Sequence, residues 1–121
     1  MSPREWRFRL QDMLEAMAKI QGYLAGMSFG QFQADSRTVD AVIRNFTIIG
    51  EAASKLPDQM AQRHPEVPWR KMIGLRNYAV HEYWGLDLGT IWKTAQEDLP
   101  PLVPLLQAVM AKYEVEQLRH E

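Results

Sequence analysis

The chain of 121 residues has no cysteine. That excludes disulfides and thiolate metal sites, and it fits a reducing compartment. No run approaches the roughly 18 apolar residues needed to span a bilayer. The first ten residues, MSPREWRFRL, carry no apolar signal-peptide core, so a cytoplasmic location is the expectation and no membrane partner is expected. Histidine occurs three times, at His64, His81 and His120. No HExxH pattern, paired DxD, Walker loop, dinucleotide-binding glycine pattern or GxSxG elbow accompanies them. No metal or cofactor is therefore expected. Strand-length alternation of apolar and polar residues is lacking too, as are internal repeats. A strong net charge is also missing: the formal value is -1, unusual for a protein that grips long nucleic acid through phosphate neutralisation.

The composition is otherwise that of one folded domain over 1–121. Apolar residues make up 46% and charged residues 24%, which is ordinary for a globular protein. A chain this long buries roughly 65% of its unfolded surface, enough for a core without staples. The 3.6-residue period dominates throughout. Ser2-Pro3-Arg4-Glu5 reads as a capping box with Pro at the first helical position. Trp6, Leu10, Met13, Leu14, Met17, Ile20 and Leu24 follow as one stripe to about Gly26. Glu15 and Lys19 are spaced as an i,i+4 pair on the other side.

A short helical turn, 28–34, is docked by Phe29 and Phe32. Asp35 or Ser36 then caps a long helix ending near Leu56, before Pro57. Val39, Val42, Ile43, Phe46, Ile49 and Ala53 share its inner face. Asp40, Arg44, Thr47, Glu51 and Lys55 form a narrow polar seam about 80° wide, at about 100° per residue. A helix apolar over most of its circumference should be central. Its seam is either a solvated ladder of weak ion pairs or, at Arg44 and Glu51, the lining of a groove. Gly50 costs about 1 kcal/mol against Ala in mid-helix, which points to a close helix–helix approach.

A short helix over 58–64 comes next. A third long helix starts near Pro68, carries Trp69, Met72, Ile73 and Val80, and stops at Trp84-Gly85. Asp87 caps a further helix with Leu88, Ile91, Trp92, Ala95 and Leu99 inward. Pro100-Pro101 breaks it. A last amphipathic helix carries Leu102, Leu105, Leu106, Val109, Met110 and Tyr113, and 116–121 is a polar tail expected to fray with His120 in solvent. The fold class is all-α, a bundle of four to five principal helices with short connections.

The stretch richest in chemistry is Arg76-Asn77-Tyr78-Ala79-Val80-His81-Glu82-Tyr83. Arg offers a permanently charged planar fork matched to phosphate oxygens, and His titrates near neutral pH and can move protons. Asn77 can orient the histidine or donate to a phosphate. An RNA phosphodiester can be cleaved by its own 2′-hydroxyl, provided the protein moves protons and stabilises the extra negative charge on phosphorus; no metal is required. Between positions 63 and 81, Arg63, Arg70, Lys71 and Arg76 face one anion, Glu66, a local basic run in a near-neutral chain. The helix dipole also favours Arg and His at a helix C-terminus, and tyrosines are common core or interface aromatics, so purely structural roles stay open. Arg76 and His81 lie about 140° apart on an ideal helix. They could converge if the helix loosens before Gly85, or two copies of the helix could pool them in a homodimer.

Arg76-Asn77-x-x-x-His81 resembles the R-N-x-x-x-H signature of HEPN domains, and the extension to Tyr83 resembles the R-x-x-x-x-H-x-Y form of the HepT toxins. Similarity extends to Arg44 through Ala52, like the R-x-x-x-x-x-G-E-A block of a HepT helix. It also covers Val67-Pro68-Trp69, Gly74-Leu75-Arg76-Asn77, Ile91-Trp92 and Asp98-Leu99-Pro100. The resemblance implies a HEPN-like bundle that homodimerises around a shared cleft, and a ribonuclease toxin of a type VII toxin–antitoxin pair acting on RNA. It implies catalytic Arg76 and His81, with Asn77, Glu51 and Arg44 in support. The partner it implies is an MNT-type nucleotidyltransferase antitoxin, MntA-like, that transfers AMP from ATP onto Tyr83. The near-neutral charge leaves an alternative, a non-catalytic HEPN module that docks to a nucleotidyltransferase or binds nucleotide.

Overall fold

The computed structural model describes residues 2–81 and 87–120, with the side chains of 80, 81 and 114–120 outside the description. Among the described residues every regular element is helical. Helix α1 spans Pro3–Leu24, α2 Phe29–Ala34, α3 Ser36–Ser54 and α4 Asp58–Arg63. Then come α5 (Trp69–Gly74), a 3-10 turn (Leu75–Asn77), α6 (Tyr78–His81), α7 (Leu88–Lys93), a π turn (Thr94–Asp98) and α8 (Leu102–His120).

The helix starts follow local chemistry. Ser2 accepts from the Glu5 N–H at 3.3 Å, and Glu5 accepts from the Ser2 N–H at 2.6 Å. These bonds satisfy amide donors that the first turn leaves open. Ser28 and Gln31 form a second box at the start of α2. Asp35 caps α3 by accepting from the Thr38 N–H (3.1 Å) and hydroxyl (2.8 Å). The same bonds, the hydroxyl first, hold its carboxyl below the ordinary range. Asp87 caps α7 likewise; the Thr90 hydroxyl and then the Gly89 N–H lower its carboxyl. Gly26, at φ +77, closes α1 in the left-handed region that glycine enters without cost.

Helix α3 is central. It touches α1, α2, α5, the 3-10 turn and α6, and α1 also packs along α8. Val42, Phe46 and Ile49 are fully enclosed, and each such side chain contributes about 1.5–3 kcal/mol by leaving water. Trp6, Leu10, Met13, Met17, Ile20 and Leu24 face it from α1, and Leu106, Val109 and Tyr113 close the core from α8. Asn45 is also buried, its amide nitrogen donating to the Ala41 carbonyl at 2.8 Å. His64 is buried as well, its Nε2 2.8 Å from the Tyr113 hydroxyl. Trp69 Nε1 donates to the His64 carbonyl at 3.0 Å, tying the α4–α5 connection to α8.

Three expectations change. The third long helix is not uniform, because α5 passes into a 3-10 turn before α6, the Tyr78 N–H reaching only to the Leu75 carbonyl. Glu15 is held by Gln11 Nε2 at 3.1 Å, not by Lys19. The helix capped by Asp87 ends in a π turn, the Leu99 N–H bonding the Thr94 carbonyl at 3.0 Å, before the expected break at Pro100 and Pro101. Pro104 then sits in the first turn of α8, where its missing N–H costs nothing. The expected helix stop at Trp84-Gly85 and the exposure of His120 lie outside the described residues. The backbone of α8 runs to His120.

Candidate functional site

The site is built where the α5–α6 run crosses α3, and glycine makes the crossing possible. A Cβ added at Gly50 would lie 2.7 Å from the Arg76 backbone nitrogen and 2.9 Å from both the Arg76 Cβ and the Ile73 carbonyl oxygen. Two of these three atoms are backbone, so no side-chain rotation could relieve the clash. The expected close approach is therefore real, and it seats Arg76 directly on α3. The tightened 3-10 turn, Leu75–Asn77, coincides with this contact.

From that seat the Arg76 guanidinium turns to the next residue of α3. Arg76 Nη1 and Glu51 Oε1 stand 3.5 Å apart, with 42% and 51% of the two side chains exposed. Pairs this exposed typically contribute about 0–1 kcal/mol, so this one orients the guanidinium more than it stabilises the fold. Among the described residues, Glu51 is the one carboxylate in contact with Arg76, and the guanidinium carries five N–H donors. Asn77 follows on the same turn and is exposed.

The remaining candidates are placed less closely. His81 is the last residue of α6 by backbone, its side chain outside the description, and Tyr83 lies outside the described residues. Residues in a 3-10 turn advance about 120° each, against about 100° in an α-helix. The turn at Leu75–Asn77 thus rotates Arg76 further from His81 than the uniform helix would. Arg44 is exposed on α3, seven residues before Glu51 and so about 10 Å along the axis. Among the described residues no ion pair joins the seam residues Asp40, Arg44, Glu51 and Lys55 to one another. The seam instead opens on a groove of about 210 Å3 against α1, lined by Glu51, Thr47, Lys55, Arg9 and Asp12. Of the sequence candidates, the described contacts bring Glu51 to Arg76 and leave Arg44 apart. Among the described residues, no three His, Cys, Asp or Glu side chains converge in a metal-holding group, and no helix is long and apolar enough to cross a membrane.

Comparison with known proteins identifies the family of the chain. The HepT-like ribonuclease family, described as "Ribonuclease HepT-like", matches residues 13–109, a span that contains the Gly50 contact, the Arg76–Glu51 pair and the whole Arg76–Tyr83 motif. The chain belongs to the HepT-like ribonuclease family. A Thermococcus cleftensis protein named "Probable ribonuclease HepT" is 41% identical over 93 residues, covering 77% of this chain and 84% of that protein. An RNase candidate of Methanocaldococcus jannaschii is 33% identical over 116 residues, 96% of both chains. Another RNase candidate, from Caldanaerobacter subterraneus, is 31% identical over 103 residues, 85% of this chain and 92% of its own. No solved structure matches. Membership in this HepT-like family makes ribonuclease the activity class, and the all-α bundle agrees with the HEPN-like architecture expected of it.

The Gly50 contact is open to a direct test. Gly→Ala in an ordinary exposed helix gains up to about 1 kcal/mol. Here the methyl must push two backbones apart, and overpacking typically costs about 1–3 kcal/mol. Gly50→Ala should lower unfolding stability by about 1–2 kcal/mol in urea titration; a more stable variant would show that the crossing has room to spare.

Proposed function

We propose that this HepT-like chain is a metal-independent endoribonuclease toxin of a cytoplasmic toxin–antitoxin pair. The observation that carries the reading is Arg76, seated on α3 by Gly50, oriented by Glu51 and still exposed, with Asn77 beside it. A guanidinium held at the surface with unused donors suits a phosphate that gains negative charge during reaction. In the proposed reaction the substrate's 2′-oxygen attacks the adjacent phosphorus. The O2′–P bond forms as the P–O5′ bond breaks, leaving a cyclic phosphate and a free 5′-hydroxyl. His81 carries one of the two proton transfers, taking the 2′-hydroxyl proton or protonating the departing 5′-oxygen, and solvent water carries the other; both roles suit an imidazole near neutral pH. Arg76 bears the extra charge on the phosphoryl oxygens, and Asn77 orients His81 or the phosphate. Glu51 positions Arg76; Arg44, two turns away, would support substrate at a distance.

Arg76 and His81 diverge around the α5–α6 axis, which supports the reading that they meet in a homodimer cleft, one protomer's arginine beside its partner's histidine. Tyr83, two residues beyond His81, is the proposed AMPylation position. An MNT-type nucleotidyltransferase antitoxin would attach AMP there, displacing pyrophosphate from ATP, and the added phosphate would bring negative charge to a site that must admit RNA phosphate.

Purified protein should cleave RNA in the presence of EDTA, and His81→Ala should reduce the rate at least ~100-fold, the usual scale of a lost general acid or base, with an unchanged circular dichroism spectrum. Undiminished cleavage by that variant, or loss of wild-type cleavage in EDTA, contradicts the mechanism. Incubation with the cognate nucleotidyltransferase and ATP should add about 329 Da per AMP, a phosphate ester of the kind that switches sites by charge. Intact-mass spectrometry reads this directly. Label persisting on Tyr83→Phe would move the modification elsewhere.

A further inference from the structure

The ion pairs of the described residues engage Arg76, Lys93 and His64, and leave Arg70 and Lys71 without a carboxylate partner. Both cations are exposed on α5 and line a groove of about 610 Å3 between α5, α4 and the end of α3. The groove's floor is apolar, formed by Ala53, Leu56, Val67 and Ile73. Asp58 also lines it, so its anion-accepting edge is the one carrying Arg70 and Lys71. Lys71 additionally borders a second groove on the far side of α5, which makes α5 a cationic ridge between two depressions.

The ridge is in register with the candidate site. Arg70 and Asn77 are seven residues apart on one continuous helical path, about 20° short of two full turns on an α-helix. The three wider steps of the 3-10 turn, Leu75–Asn77, carry it about 40° past two turns instead, still on one face. Arg70 therefore shares a stripe with Asn77, roughly 12 Å away along the axis when both rises are counted. That is too far for both to hold one phosphate, and it is suited to a phosphate further along the same strand.

We infer that Arg70 and Lys71 form a substrate track for single-stranded RNA, gripping phosphates beside the scissile one while an unstacked base enters the apolar groove. The inference takes its ligand class from the ribonuclease reading above. Single strands are held by this combination of cations along the backbone and apolar surface for base faces. In a duplex those faces are covered. The track also accounts for how a chain of formal net charge -1 holds RNA: among the described residues, Arg70 and Lys71 are in no ion pair and stay available to phosphate.

Binding of a fluorescent 2′-O-methyl RNA oligonucleotide tests this, because the probe lacks the attacking hydroxyl and is read whether or not the chain cleaves RNA. Arg70→Ala combined with Lys71→Ala should weaken binding about ten-fold. It should also lower the slope of log affinity against log salt by about 1.4, two phosphate contacts at about 0.7 each for a single strand. The charge-keeping pair Arg70→Lys and Lys71→Arg should retain most of the affinity, which separates lost charge from lost fold. Wild-type protein should prefer the single strand to the same oligonucleotide annealed to its complement. Unchanged affinity and slope in the alanine pair, as expected if the ridge instead serves an acidic protein, overturns the track. Equal affinity for the duplex overturns the seating of a base in the groove. Wild-type protein that binds as described but cleaves no RNA contradicts the ribonuclease reading and leaves the track standing.

Discussion

Gly50 gives up a side chain in the middle of a central helix, and the backbone of Arg76 occupies the space. A Cβ there would meet backbone at 2.7 and 2.9 Å, so the spacing between α3 and the α5–α6 run depends on that one hydrogen atom. Three features follow from the contact. The α5–α6 run lies close against α3, its 3-10 turn falls at the crossing, and Arg76 comes within 3.5 Å of Glu51, the residue next to Gly50. The glycine therefore sets where the candidate phosphate ligand stands, although it touches no substrate. A helix of nearly continuous apolar surface supports it from below, with Val42, Phe46 and Ile49 enclosed in the core.

The Arg76–Glu51 pair also bears on the chemistry. If Arg76 binds phosphate as proposed, a carboxylate beside the guanidinium biases the side chain's orientation before substrate arrives, so less rotamer freedom is lost on binding. It also competes with that phosphate for the same donors. An exposed pair in high dielectric is weak, and a bidentate phosphate contact is among the strong hydrogen-bonded interactions of arginine. The carboxylate can therefore share or yield the guanidinium to substrate at little cost. Arg70 and Lys71 of α5, in no ion pair among the described residues, lie upstream on the same run, and the near-neutral net charge conceals this uneven distribution.

Much of the fold was legible because it is locally encoded. The capping roles of Ser2, Asp35 and Asp87 and the stop at Pro57 each follow from residues within a turn of the effect, and the inner face of α3 follows from period alone. Gly50 announced the close approach through its cost, and the ordered motif from Arg76 to Tyr83 marked the candidate site's chain segment. What sequence did not show is what depends on distant partners. Which carboxylate meets Arg76 is settled 25 positions away, at Glu51. The 3-10 turn has no period of its own; it appears where the run meets α3. Asn45 reads as a polar residue among apolar neighbours, yet it is buried, its amide nitrogen donating to the Ala41 carbonyl within its own helix. His64 and Tyr113, 49 positions apart, meet in the core through packing that no local pattern records.

The central proposal is that Arg76 and His81 serve one reaction although the helical path from Arg76 to His81 turns them apart, with two chains contributing to each site. Mixing two variants tests it most directly. Arg76→Ala and His81→Ala proteins, each inactive alone, would be unfolded together, refolded as a mixture and assayed for RNA cleavage. A shared cleft predicts that the mixture regains a measurable fraction of wild-type activity, because mixed dimers unite one intact arginine with one intact histidine. A mixture that stays as inactive as its components, with mixed dimers demonstrated by native mass spectrometry, would contradict the shared cleft and return both residues to a single chain.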